Sequence, residues 1–176
     1  MSAFAPAEFR AAMSRFCSGV VIVSGAKTDQ PLGFTAQSFL SLSLEPPLVA
    51  VCPGKSSSSW PRIRDTGHFG INILADNQRD LCRRFASSGS AMAGAGKFAG
   101  IDWQRGNTGS PILPGVLAFV DCRFEAEHDA GDHTIAVGRV VDLRLGVPDR
   151  LPLLYYRGAY GSYCAADAAG LEVQRE

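Results

Sequence analysis

A chain of 176 residues, 46% hydrophobic and 19% charged, can bury one sizeable core and is too apolar to stay disordered, so a single domain over 1–176 is expected. Seventeen basic residues balance seventeen acidic ones, which removes the electrostatic footprint of a nucleic-acid or membrane-surface protein and leaves small molecules or other proteins as partners. Five cysteines, Cys17, Cys52, Cys82, Cys122 and Cys164, are odd in number and far apart, which argues against a disulfide framework or a zinc site and fits a reducing cytoplasm. Met1 to Met13 lacks the apolar centre of a signal peptide, and no later run is apolar enough to span a bilayer.

In chain order, Phe9, Met13 and Phe16 recur at helical spacing after Pro6, which predicts a short amphipathic helix with one face on the core, stopped by Gly19. Val20 to Ser24 (VVIVS) and Leu48 to Cys52 (LVAVC) are short apolar runs of the kind that mark strands buried on both faces. Between them, Gly33 to Leu48 (GFTAQSFLSLSLEPPL) strings Thr35, Ser38, Ser41 and Ser43 among apolar residues, with Pro46 and Pro47 expected to end the pairing. Ser56 to Arg64 can start a helix on its serines, with Trp60 and Ile63 inward and Gly67 as its stop, before a strand over His68 to Leu74. Asp76 is expected to cap a further helix bearing Leu81 and Phe85. Val116 to Ala126 and Thr134 to Leu145 read as long strands joined by turn residues from His128 to His133, a hairpin, and Leu153 to Tyr156 as a last strand. Strands outnumber helices without regular alternation, which favours an all-β, closed antiparallel barrel over a doubly wound sheet.

Several motifs are decoys. Gly94, Gly96 and Ala99 match a loose dinucleotide fingerprint, but no strand precedes them; Gly96-Lys97 resembles the end of a phosphate loop, but Phe98 replaces the required hydroxyl. No Gly-x-Ser-x-Gly elbow exists, and three histidines lack metal-ligand spacing, so no metal is expected.

Three segments carry chemistry. Gly33 to Pro47 offers hydroxyls and backbone amides beside apolar residues, which suits a flat, amphiphilic heteroaromatic ring; its plainer reading is a barrel strand with hydroxyls facing solvent. Cys52 to Trp60 (CPGKSSSSW) ends a buried strand in a turn with Lys55 and four serines leading into a helix, an arrangement for phosphate or simply a serine cap. Gly131-Asp132-His133 places a histidine at the start of a strand, a functional residue or an ordinary hairpin one.

In order and spacing these segments resemble the flavin reductase-like family, the FMN-binding split barrels that serve as reductase components of two-component flavin monooxygenases. Further landmarks are Phe16 to Val20, Phe69 to Leu74, Phe85-Ala86, Lys97-Phe98, Pro111 to Leu113 and Tyr156 to Tyr160 (YRGAY). The resemblance covers a core of about 9–163 and leaves a tail over 164–176. It is strongest toward the reductases of phenol, hydroxyphenylacetate and bacterial steroid-ring hydroxylases. It implies an antiparallel Greek-key split β-barrel with a few flanking short helices.

By the same resemblance, Thr35, Ala36, Gln37 and Ser38 would hold the polar edge of the isoalloxazine. Cys52, Pro53, Lys55, Ser56, Ser57 and Ser58 would hold the ribityl phosphate, and Phe85 and Ala86 would line the far side of the pocket. His133 would orient the nicotinamide as the catalytic residue, with Gly158 and Tyr160 beside it in the cofactor-binding set. The implied activity is reduction of FMN or FAD by NADH or NADPH, with reduced flavin passed to a partner monooxygenase; family members form homodimers. Gln37 stands where the family more often has asparagine, which leaves FMN and FAD both open. The small, polar run Ser87 to Gly96 is a candidate flap over the site or a plain surface loop. Two other readings remain: a flavin-binding module without turnover, and an oxidase of the pyridoxamine phosphate type, against which the lack of a second basic cluster argues.

Overall fold

The computed structural model describes residues 4–87 and 94–164. A helix α1 (Pro6–Met13) precedes strands β1 (Ser18–Gly19), β2 (Val21–Lys27), β3 (Gln30–Ala36), β4 (Leu40–Leu44) and β5 (Pro47–Val51). Helix α2 (Trp60–Arg64), strand β6 (His68–Ile73) and helix α3 (Arg79–Ala86) follow. Then come β7 (Gln104–Arg105), β8 (Pro111–Ile112), the long β9 (Ala118–Ala130) and β10 (His133–Leu145), β11 (Leu153–Tyr156) and β12 (Ala159–Ser162).

Seven strands form one antiparallel sheet in the order β3-β2-β6-β9-β10-β5-β4. Strands β5 and β6, consecutive in the chain, flank opposite sides of the β9–β10 hairpin, which gives the expected Greek-key connection. The sheet curls, because Val21, Leu32, Val49, Phe69, Val120 and Ala136, from six of its strands, pack into one cluster. Its end strands β3 and β4 are not paired with each other, so the barrel is split. A second, three-stranded sheet has the order β1-β11-β12.

The apolar run at β2 is continuous because both faces of this strand are covered. Val21 and Val23 point into the barrel cluster, while Val20 and Ile22 join a second cluster with Leu74, Phe85, Phe98 and Leu153. Trp60 plugs the barrel, its ring 5.7 Å from Phe69 and 6.3 Å from both Phe34 and Phe124. On the outer face, the buried Asn72 side chain donates to Ile22 O, Ser24 Oγ and Pro111 O and accepts from Leu113 N, which pins the β7–β8 segment to the sheet.

Several expectations need correction. Gly33 to Leu48 spans the end of β3, all of β4 and the start of β5, broken first at Gln37–Phe39, and Pro46 and Pro47 do not end the pairing but turn a β4–β5 hairpin in which Leu44 faces Pro47. Helix α1 buries none of its residues: Phe9 and Met13 on it, and Phe16 just beyond it, are 50%, 55% and 81% exposed, with Phe4 stacked on Phe9 at 5.7 Å. Asp76 does not cap; Gln78 Oε1 accepts from Ala75 N at 3.0 Å, ahead of α3. Sequence patterning missed β12, whose partner β11 is reached through the tight turn Arg157-Gly158, both residues with positive φ. Residues 88–93 of the candidate flap and 165–176 of the tail lie outside the described residues. Among the described residues, no helix is long and apolar enough to cross a membrane.

Helix α2 is tied to the β9–β10 hairpin through one carboxylate. Glu127 accepts from Trp60 Nε1 (2.6 Å), Thr134 Oγ1 (2.8 Å) and Arg64 Nη1 (3.1 Å). Partial burial pushes its pKa up, but the bonds from Trp60, Thr134 and Arg64 outweigh burial and hold it below its ordinary 4.5. A depressed carboxyl stabilises the fold above its unfolded value and loses that contribution as pH falls through its folded value. Glu127→Gln should therefore lower stability by about 2 kcal/mol at neutral pH. The gap between variant and wild type, read by urea unfolding, should shrink as pH falls below 4.5.

Candidate functional site

One end of the split barrel opens into a cleft of about 490 Å³. Its first wall is the end of β3 and the turn after it, where Phe34, Thr35, Ala36, Gln37 and Ser38 succeed one another. Its second is the exit of β5, Cys52, Pro53 and Gly54. Ser38 Oγ joins these walls, accepting from Cys52 N (2.9 Å) and donating to Cys52 O (3.3 Å). The β9–β10 turn is then docked onto the β5 exit by two backbone bonds, Lys55 N to Asp132 O (2.9 Å) and Thr134 N to Pro53 O (3.0 Å). That docking brings His133 over Gly54, where a Cβ would lie 3.6 Å from the imidazole Nε2. The third wall is Cys82 and Ala86 of α3, closed by Tyr155 and Tyr160 from the β11–β12 hairpin, whose rings meet edge to face at 5.1 Å.

Of the residues singled out in the sequence, Thr35, Ala36, Gln37, Ser38, Cys52, Pro53, Ala86, His133 and Tyr160 line this cleft. Phe85 does not. It is fully buried and packs edge-on to Phe98 at 4.8 Å, so it supports the wall from behind. Lys55, Ser56, Ser57 and Ser58 are also absent from the lining, and Lys55 Nζ pairs with Asp129. The serine run is a turn and a cap: Ser57 N donates to Gly54 O (2.9 Å) and Ser57 Oγ accepts from Trp60 N (3.1 Å). The five-residue α2 starts only at Trp60, later than the serines suggested. Gly158 sits in the β11–β12 turn, outside the lining. Phe34, Gly54, Cys82 and Tyr155 were not anticipated. Cys82 could have been, because it lies one helical turn before Ala86. Tyr155 faces Tyr160 across the hairpin, a pairing visible only once β12 is recognised.

The hydroxyls serve the wall rather than an occupant. Thr35 Oγ1 donates to Cys82 O (2.7 Å), stapling β3 to α3, and Ser38 is engaged with Cys52. Gln37 accepts from Ser18 Oγ at 3.4 Å through Oε1, and its amide nitrogen has no partner among the described residues. His133 Nδ1 lies 2.7 Å from Asp132 Oδ1, and this bond holds the Asp132 carboxyl below its usual range. An ionised carboxylate only accepts, so Nδ1 carries the proton and Nε2 faces Gly54. The hydrogen bond with the Cys82 thiol (3.3 Å), then burial, pushes the Tyr160 phenol up to about 12, which keeps it uncharged at neutral pH.

Among the described residues, no Asp, Glu, Lys or Arg lines the cleft and no group of three or more His, Cys, Asp or Glu could hold a metal ion. A mixed wall of this size, neutral apart from one imidazole, suits a flat heteroaromatic ligand that brings its own reactivity.

Comparisons with known proteins agree with that geometry. The family described as "Flavin reductase like domain" matches residues 13–163. The reductase subunit HsaB of a flavin-dependent monooxygenase from Rhodococcus jostii (strain RHA1) is 48% identical over 155 residues, 88% of this chain and 76% of that protein. The FMN reductase (NADH) SmoA from Agrobacterium fabrum (strain C58 / ATCC 33970) is 43% identical over 89% of this chain and 85% of its own length. The Streptomyces globisporus NADH:FAD oxidoreductase SgcE6, solved with NAD and FAD fragments, superposes with a TM-score of 0.84 at 30% identity, covering 95% of this chain and all (100%) of that one.

The α3 wall rests on a close approach at Gly33, where a Cβ would sit 2.8 Å from the Phe85 ring and 3.1 Å from Val23 O. Gly33→Ala should therefore push α3 outward and lower stability by about 1–3 kcal/mol. Urea unfolding checks this, and an unchanged midpoint would contradict the contact.

Proposed function

Because the chain belongs to the flavin reductase-like family, we propose that this cleft seats a flavin and a nicotinamide dinucleotide, and that the protein supplies reduced flavin to a separate flavin-dependent monooxygenase. The observation that carries the reading is the pairing, across one neutral cleft, of the Ala36–Ser38 turn with the imidazole of His133. The residues present fit an isoalloxazine: the cleft volume of about 490 Å³ lies within the range of about 300–1000 Å³ usual for small-ligand sites. Phe34, Tyr155 and Tyr160 offer flat apolar surface, and the Gln37 amide offers donors at one edge. When bound, the flavin supplies the two-electron acceptor for a hydride from the nicotinamide C4.

The protein's part is positioning. Ala36, Gln37 and the Ser38 backbone hold the polar edge of the ring, Cys52 and Pro53 cover one side, and Cys82 and Ala86 the other. His133, fixed at Nδ1 by Asp132, presents Nε2 to the nicotinamide and orders it over the ring. The Tyr155–Tyr160 wall excludes water while adding no charge. Both FMN and FAD remain open as acceptors, with NADH as donor, since the similar proteins include an FMN reductase and a FAD oxidoreductase that use NADH.

The family match over 13–163 supports a single domain with a core near 9–163. Five free cysteines support a reducing compartment such as the cytoplasm. The uncovered face of α1, together with exposed Leu143 and Leu145 on β10, supports assembly into a homodimer. Sedimentation should then give a mass near twice 18.7 kDa.

NADH absorbance followed with purified protein tests the activity: oxidation should appear on adding FMN or FAD, and its absence with either would reduce the protein to a flavin binder at most. Where turnover is seen, His133→Ala should raise KM for NADH by about tenfold, the order expected for one lost hydrogen bond in a closed site, and move KM for flavin much less. An equal rise in both would refute the positioning role of His133.

A further inference from the structure

A second cavity, of about 350 Å³, opens where the segment between β7 and β8 meets β6, β9 and β10. It is lined by Gly67, His68, Asn107, Thr108, Arg123 and Val141, none of which lines the cleft. His68 of β6 and Arg123 of β9 are direct cross-strand partners, which sets their side chains on the same face of the sheet.

A chain of hydrogen bonds fixes the imidazole from behind. The carboxylate of Asp121, fully buried, accepts from Thr108 N (2.9 Å) and from Thr108 Oγ1 (2.5 Å). That spends the Thr108 hydroxyl proton, so the 2.8 Å contact between Thr108 Oγ1 and the buried Ser110 Oγ is donated by Ser110. The Ser110 proton is spent in turn, so in the 3.2 Å contact between Ser110 Oγ and His68 Nδ1 the imidazole is the donor. Nδ1 therefore carries the proton, and Nε2 has no partner among the described residues. Burial holds this imidazole below its ordinary 6.5, against the smaller pull of Asp121, and leaves it neutral at pH 7.

Arg123 supplies the charge. Of the three arginines on the β9–β10 hairpin, Arg139 pairs with Glu125 and Arg144 with Asp142, whereas Arg123 has no ion pair or hydrogen bond among the described residues. Asn107 Oδ1 accepts from Arg144 Nη2 at 3.2 Å, which leaves the Asn107 amide N–H groups unspent. The one carboxylate in contact with the lining, Asp121, lies beneath Thr108 and is engaged by it.

We propose that this cavity is a second binding site, separate from the cleft, that takes a small oxyanion on Arg123, Asn107 and His68. The guanidinium fork and the amide donate to the anion, and the fixed Nε2 accepts from an oxyanion that keeps a proton or, once protonated itself, donates to one that does not. A phosphate and a carboxylate share this chemistry, and the volume lies in the range of about 300–1000 Å³ usual for small-ligand sites. The proposal does not depend on what the cleft holds.

The chain has three histidines, His68, His128 and His133, so NMR resolves each imidazole Hε1 signal, with His68→Gln fixing the assignment. Wild-type protein and Arg123→Gln are titrated at constant ionic strength with inorganic phosphate and separately with acetate, chloride being the control. The His68 signal of the wild type should follow a saturating curve, while that of the exposed His128 moves no more than it does in chloride. Saturation with phosphate alone assigns the site to phosphate groups, and saturation with acetate as well extends it to carboxylates; either supports the site. Arg123→Gln should weaken the binding by about tenfold or more, the order expected for lost hydrogen bonds from a charged donor. No saturation with either anion, the same movement in chloride, or undiminished affinity in Arg123→Gln would overturn the proposal.

Discussion

The double hydrogen bond between Ser38 Oγ and the backbone of Cys52 is the contact on which the site depends. The barrel is split, so nothing in the sheet itself obliges the end of β3 to lie beside the exit of β5. One hydroxyl, acting as acceptor and donor at once, joins them and satisfies both backbone groups of Cys52 in a place where no strand can. The cleft is the gap left on either side of that joint. Removing the hydroxyl would leave a partly buried amide and carbonyl without partners as well as freeing two walls.

From that joint the rest of the site follows through the long hairpin. Strands β9 and β10 run to 13 residues each, and their register slips between Val137 and Gly138 and between Val140 and Asp142. Irregularities of this kind raise local twist, which curls the hairpin tip back toward the end of β5. Glu127, held by Trp60, Arg64 and Thr134, locks that curl to the plug of the barrel. Core packing and site geometry are thus coupled through one side chain that touches no ligand.

How much of this the sequence made legible depended on whether the deciding contact was local. Val20 to Ser24 read correctly because burial on both faces writes itself as an unbroken apolar run. Gly131-Asp132-His133 read correctly because a tight turn needs its glycine, here at φ 72°. Position within a family pattern was enough to find Thr35 to Ser38 and Cys52, though not the inward use of their hydroxyls. The serine run reads two ways because helix caps and phosphate loops draw on the same residues; the structure shows the turn and cap bonds of Ser57, which the residue types alone do not specify. Phe85 was placed on the cleft when it lies behind it, since a helical period of 3.6 does not say which of two neighbouring apolar residues faces a cavity. The bare face of α1 escaped notice because apolar spacing announces that a face will be covered and is silent on what covers it.

The two bonds that dock the hairpin turn on the β5 exit run from backbone to backbone, Lys55 N to Asp132 O and Thr134 N to Pro53 O. Neither depends on which side chains the four residues carry, except that proline could not stand at 55 or 134. The imidazole is thus mounted on a socket indifferent to what is plugged into it. The residue at 133 can be exchanged without rebuilding the scaffold that carries it. A barrel held this way is a durable chassis with a replaceable tool.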